Sequence, residues 1–150
     1  MSSLIKTYIK ALRTYQWLKN TLIFLPILSS HKFSPIFFYE ALIAFISFSL
    51  ISSCVYIIND ILDIKNDIDH PLKKTRPFAS GDIPILNGLI LASVCFFLGL
   101  LIAFYVNKIF MLIVILYFIF TTLYSYSLKS FAILDIILLS LFYLIRILSG

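Results

Sequence analysis

ALIAFISFSLISSCVYIINDILDIKND, residues 41–67, decides how this chain folds. Residues 41–59 are 19 positions without a charge, close to the ~20 that a helix needs to cross a hydrocarbon core. Asp60, Asp63 and Asp67 follow at once. The chain has 7 acidic residues, and 5 of them (Asp60, Asp63, Asp67, Asp69 and Asp82) fall within positions 60–82. Carboxylates are costly beside lipid, so acids gathered at the end of an apolar run read as a site.

The composition around this stretch excludes a soluble domain. Hydrophobic residues make up 61% and charged residues 13%, with a mean hydropathy of +1.04. A soluble domain of 150 residues with so little charge has nothing to cover its surface. The net charge of +5 would suggest nucleic acid in a soluble protein. Here the cations flank apolar runs, so they set orientation in a bilayer and nucleic acid is not expected as a partner. Cys54 and Cys95 sit inside apolar runs without metal-ligand spacing and read as packing. No cleavable signal peptide is read at the N-terminus.

In order, residues 2–15 place Lys6, Lys10 and Arg13 at helical spacing opposite Ile5, Ile9 and Leu12. This predicts an amphipathic helix in the headgroup region. Residues 16–30 form a marginal first span, anchored by Trp17 and Lys19. Ser34-Pro35 reads as an N-cap with proline in the first helical position. Spans are expected at about 36–59, 83–106, 109–128 and 131–148, with Asp82 and Pro84 marking the third helix start. The fold class is therefore all-α, a single polytopic membrane bundle of about five transmembrane helices. With the N-terminus inside, 9 of the 12 cations fall on the cytoplasmic side, against Lys32 and Lys108 outside. The acidic cluster then faces the cytoplasm of an integral membrane protein.

If the second span continues as a helix through the acids, Asn59, Asp63 and Asp67 line one face over roughly 12 Å, with Asp60 beside them. Carboxylate and amide oxygens are hard ligands suited to Mg²⁺, which takes one or two carboxylates and substrate phosphate oxygens. Lys73, Lys74 and Arg76 follow and suit outlying phosphate oxygens. A solvated loop explains these cations but not acids at helical spacing off an apolar helix. A calcium loop starting at Asp63 fails, because Ile68 stands where glycine is required and Lys74 where glutamate is.

Asn59-Asp60-x-x-Asp63-x-x-x-Asp67 resembles the first aspartate-rich motif of the UbiA family of intramembrane prenyltransferases. Arg76-Pro77-Phe78-Ala79-Ser80-Gly81 is similar to the segment that follows it there. Residues 12–20 (LRTYQWLKN) and 124–129 (YSYSLK), with Asp135 and Arg146 after them, resemble more specifically the decaprenyl-phosphate phosphoribosyltransferase subgroup. The resemblance implies a bundle with a cytoplasm-facing polar cavity and a lateral opening for a lipid tail. It implies Mg²⁺ and a diphosphate donor on Asn59, Asp60, Asp63 and Asp67, the three aspartates being the catalytic set. In the wider family a prenyl diphosphate alkylates an aromatic acceptor. In the subgroup a polyprenyl phosphate attacks phosphoribosyl pyrophosphate. The acid cluster serves both. The family also implies further helices and a second aspartate-rich motif. The 150 residues therefore read as part of a truncated or split protein, with a complementary half or an oligomer as partner.

Other positions carry an equal structural reading. Lys129 and Lys19 are candidates for donor phosphates or anchors at a membrane face. Arg13, Asn20, Tyr124, Tyr126 and Asp135 are further cavity candidates, and Arg146 is expected to snorkel outward or to pair with a complementary half. A carrier using Asp60, Asp63 and Asp135, and a non-catalytic assembly partner, are the other function classes left open.

Overall fold

The computed structural model describes residues 3–30, 34–125 and 132–150, side chains at 132–139 excepted. Among these residues there is no strand, in keeping with the all-α reading. The chain opens with α1 (Ser3–Leu12), a 3-10 segment (Thr14–Phe24) and α2 (Leu25–Ser30). Then come α3 (Pro35–Leu62), α4 (Ile64–Ile68), a 3-10 turn (Lys73–Thr75), α5 (Ile85–Val106), α6 (Lys108–Leu123) and α7 (Ala132–Leu148).

The amphipathic helix stops earlier than its spacing predicts. Arg13 adopts the left-handed conformation (φ 49°, ψ 46°) and turns the chain. That costs a residue with a side chain about 1–2 kcal/mol, and Ser53 helps to hold the turn by donating to Leu12 O at 2.7 Å. The expected first span is not one α-helix either. Pro26 has no N–H to offer Leu22 O, which accepts from Leu25 N instead, a tighter i→i−3 bond.

α3 is the organising helix. Ser34 caps it by accepting from Ile36 N at 3.4 Å, with Pro35 in the first helical position, as the sequence places them. At 28 residues it is about 42 Å long. It packs against α1, the 3-10 segment, α5 and α6. In its most apolar window 61% of residues are buried, against 22% for α5, so α3 is the hub and α5 the rim. α3 and α5 are long and apolar enough to cross a membrane, with mean hydropathies of 2.3 and 2.7. α6 is apolar but shorter, at 16 residues.

Two buried clusters line α3. One gathers Phe48 and Ile51 with Ile23, Ala103, Val114, Tyr117 and Phe142. The other, nearer the acids, gathers Cys54 and Ile57 with Ala11, Phe78, Ile83 and Cys95. Close approach of α3 and α5 depends on Gly99, where a Cβ would lie 2.8 Å from Ile51 Cγ1 and 3.2 Å from Ser47 O. Ser47 Oγ donates to Gly99 O at 2.8 Å across this contact. Small residues at helix crossings in apolar surroundings work this way. The outer face of α5 exposes Phe97, Leu101, Phe104 and Tyr105.

α5 begins at Ile85, and Asp82 does not cap it: its carboxylate accepts from Ser80 Oγ at 2.7 Å. Asn107 breaks α5 from α6 in an extended conformation, and its Oδ1 caps α6 by accepting from Phe110 N at 2.7 Å. The expected end of the fourth span, at 128, lies outside the described residues.

Candidate anion-binding site

The end of α3 does not continue straight through the acids. Asp63 is its C-cap (φ −89°, ψ 3°), and α4 restarts at Ile64. The break is local, since Asp63 N still donates to Asn59 O and Asp67 N to Asp63 O, both at 2.9 Å. Asp60 and Asp67, seven positions apart, share a face and meet at one arginine. Arg76 Nη1 lies 2.6 Å from Asp67 Oδ2 and 3.2 Å from Asp60 Oδ1. Arg13 closes on Asp60 from the other side with a fork, Nη2 to Oδ1 at 2.5 Å and Nε to Oδ2 at 3.2 Å. Both carboxylates are almost wholly buried. The result is a chain of alternating charges, Arg13, Asp60, Arg76, Asp67, in which each buried acid is neutralised.

Distant segments hold this arrangement. The left-handed turn swings Arg13 toward α3, where its guanidinium also lies 5.2 Å from the Tyr56 ring centroid. Trp17 Nε1 donates to Ser53 Oγ at 2.9 Å and pins the same turn. Lys10 Nζ donates to Thr75 O at 2.5 Å, tying α1 to the loop that carries Arg76. His70 shapes that loop, its Nδ1 accepting from Leu72 N at 3.2 Å and Lys73 N at 3.4 Å. Ser80 Oγ donates to Arg76 O at 2.9 Å.

The donors fit a hard divalent cation in kind. Asp60 and Asp67 share one nitrogen of Arg76, so a cation in that nitrogen's place would meet both carboxylates. Among the described residues, however, no group of three or more His, Cys, Asp or Glu side chains converges as a ready ligand set.

Asn59 lines a cavity of about 180 Å³, together with Arg13, Lys19, Tyr56, Tyr117, Thr121, Tyr124, Tyr143 and Arg146. Lys19 is exposed at its rim. Asn20 is buried, donating from Nδ2 to Ser49 Oγ at 3.0 Å and accepting from Arg146 Nε at 2.8 Å. Arg146 does not snorkel outward: it is 5% exposed in the middle of the bundle. Lys73 and Lys74 are exposed on the 3-10 turn, outside the ion-pair chain. Tyr126 and Lys129 lie outside the described residues, as does the side chain of Asp135 in α7.

Sequence reasoning missed the roles of Arg13 and Arg76 as partners of the acids, and the Asn20–Arg146 pair. It also missed Tyr56 and Tyr117. A polar Asn20 and a cationic Arg146, each within an apolar run, were the signal available for the buried pair.

Comparison with known proteins agrees with this architecture. The profile of the UbiA prenyltransferase family matches residues 20–150. A decaprenyl-phosphate phosphoribosyltransferase of Mycobacterium tuberculosis is 31% identical over 154 aligned positions, covering 99% of this chain and 51% of that protein. The nodulation protein NoeC of Azorhizobium caulinodans is 33% identical over 144 positions, covering 96% of this chain and 47% of that protein. A solved structure from work on digeranylgeranylglyceryl phosphate synthase in membranes superposes with a TM-score of 0.85 at 22% identity, over 99% of this chain and 53% of that one. The chain thus spans about half the length of these relatives.

Proposed function

Because this chain belongs to the UbiA prenyltransferase family, we propose that it supplies the diphosphate-binding portion of an intramembrane transferase acting on a polyprenyl substrate. The donor on this reading is phosphoribosyl pyrophosphate and the acceptor a polyprenyl phosphate. An acceptor phosphate oxygen bonds to the ribose anomeric carbon while the carbon–diphosphate bond breaks and the diphosphate leaves with the electron pair. One observation carries the proposal: two buried carboxylates and two guanidinium groups converge at one end of the central apolar helix. The similarity to relatives named for phosphoribosyl transfer to decaprenyl phosphate favours that donor over a prenyl diphosphate.

Asp60 and Asp67 would hold Mg²⁺, with Asn59 and Asp63 of the same motif beside them, and the ion when bound neutralises the charge that builds on a departing diphosphate. Arg76 and Arg13 exchange carboxylate for phosphate oxygens, a swap their planar forks allow. Lys73 and Lys74 stand exposed near the mouth and attract the anionic donor, and Lys19 and Lys129 extend the same field. The excess of cations near the acidic end supports a cytoplasmic orientation for that end. The relatives carry about as many residues again outside the matched part. A complementary half, in the same chain or a separate one, completes the site on this reading.

The test is donor binding by the purified protein in lipid nanodiscs. Phosphoribosyl pyrophosphate is expected to bind only with Mg²⁺, and Asp67→Ala is expected to abolish binding. Unchanged binding in that variant would overturn the site. Competition by geranyl diphosphate alone would transfer the assignment to prenyl donors.

A further inference from the structure

The apolar arc of α1 is wider than the surface that the rest of the chain covers. At about 100° per residue, Ala11, Tyr8 and Leu12 lie on one side of the helix, Ile5 and Ile9 on its flank, and Lys6 and Lys10 next beyond them. The first three meet the buried cluster around Cys54 and Ile57 of α3, and Ala11 is wholly buried there. Ile5 and Ile9 stay 47% and 38% exposed, beside the exposed Lys6 and Lys10.

The uncovered flank suits the headgroup region of a bilayer. The end of α1 lies at the level of Ser53, whose Oγ donates to Leu12 O at 2.7 Å. That level falls within the uncharged run 41–59, so the flank sits at the boundary between acyl chains and headgroups. The charge around it has one sign. Residues 1–31 carry Lys6, Lys10, Arg13 and Lys19 and no acid. Isoleucines bordered by lysines bind an anionic lipid surface through buried apolar area and through charge together. The bond from Lys10 to Thr75 O uses one of three N–H groups, which leaves two for lipid phosphate.

α1 is joined to the acids without slack. The left-handed residue that ends it is Arg13, whose fork holds Asp60. Tyr8 Oη accepts from Asn87 Nδ2 at 3.4 Å, so α1 touches the first turn of α5 as well. A helix of 10 residues is marginal on its own in water, so what covers α1 decides how firmly it is held.

We propose that the lysine-bordered flank of α1 is a docking surface for the anionic phospholipid headgroups of the leaflet beside the acid cluster, and that seating it there holds Arg13 on Asp60. The lipid then acts on the acids through the helix and its last turn, with no contact of its own to either carboxylate.

The experiment follows amide hydrogen exchange of the full chain in nanodiscs of phosphatidylcholine, alone or mixed with phosphatidylglycerol, without donor or divalent cation. Phosphatidylglycerol is expected to slow exchange in residues 3–12 about tenfold, as two lysines at an anionic surface require. Added salt is expected to remove most of the difference. Lys6→Gln, at an exposed position, is expected to cut the effect to about threefold, and Lys6→Arg to keep it. Through Arg13, residues 59–68 are expected to slow about fivefold in the same discs, and Arg13→Ala to remove that second response. If Arg13→Ala does not fold, Arg13→Lys, which lacks the fork, is expected to weaken the response. Equal exchange in the two lipids overturns the docking surface. An undiminished effect in Lys6→Gln overturns the lysine contact. A response of residues 59–68 that is unchanged in either Arg13 variant overturns the coupling. Protection that appears only with two copies per disc assigns the flank to a second copy of the chain and overturns the lipid. Donor binding is measured separately, so this inference and the donor-site reading fail independently.

Discussion

Asn20 and Arg146, 126 positions apart, are joined by a buried hydrogen bond of 2.8 Å. It connects the first apolar segment to α7 through the centre of the bundle, where both side chains are shut away from solvent. Removing one partner of a buried charged hydrogen bond leaves the other unsatisfied, which costs about 1–3 kcal/mol or more. Asn20→Ala is therefore expected to destabilise the chain by that amount, measured as thermal unfolding in detergent. Asn20→Asp, which would supply a counter-charge, is expected to cost less. A double-mutant cycle of Asn20→Ala with Arg146→Met should show a coupling of about 0.5–3 kcal/mol. Strict additivity would mean that the bond contributes nothing.

A different break is expected at the other end of the cavity. Arg13 holds Asp60 with both prongs of its fork and sits at the left-handed turn that directs α1 back over the acids. In Arg13→Ala the carboxylate keeps, among the described residues, only Arg76 as an ion-pair partner, at 3.2 Å. Arg13→Ala is expected to release α1 and the loop that Lys10 ties to it at Thr75. Limited proteolysis should then cut within residues 3–13 several times faster than in the unsubstituted protein. Arg13→Lys keeps the charge but not the fork and should fall between the two.

The packing of α3 on α5 makes a third prediction. A methyl group at Gly99 would sit 2.8–2.9 Å from Ile51 and 3.2 Å from the backbone of Ser47, so either the helices separate or Ile51 shifts. Gly99→Ala is expected to cost about 1–3 kcal/mol by overpacking. Ile51→Val removes the Cδ1 that crowds the new methyl, so the double variant should recover part of that loss in the same unfolding measurement. No recovery would show that the γ-carbon retained at position 51 or the Ser47 backbone is the limiting contact.

These three relationships separate what the sequence shows from what only the fold shows. The hub helix is legible because residues 41–59 carry no charge, and the site because carboxylates stand out against an oily background. Ser34 and Pro35 declare the start of α3 through local chemistry alone. Its end is silent: no glycine or proline marks Asp63, and helical spacing carried past it predicts a single acidic face. Arg13 shares helical spacing with Lys6 and Lys10, so it reads as one more headgroup cation until the left-handed turn redirects it. Arg146 reads as a side chain that snorkels outward or pairs with a complementary half, because its acceptor, Asn20, lies 126 positions away. Local signals were readable; partners across the bundle were not.

The fourth prediction concerns the place of Arg76 between the acids. Its Nη1 stands 2.6 Å from Asp67 and 3.2 Å from Asp60, so it occupies the space that a cation bridging the two carboxylates would need. On the donor-binding proposal the same group turns to phosphate when the diphosphate arrives. Arg76→Gln should therefore move two affinities in opposite directions. Binding of Mn²⁺ alone, followed by its electron paramagnetic resonance signal, should tighten severalfold because a competing cation is gone. Binding of the Mg²⁺–diphosphate pair should weaken about tenfold, the usual consequence of losing a charge-assisted contact. A purely structural role would weaken both together, and a metal site away from Asp60 and Asp67 would leave the Mn²⁺ affinity unmoved. The opposite movement is the signature that Arg76 competes with the metal while helping to hold the donor.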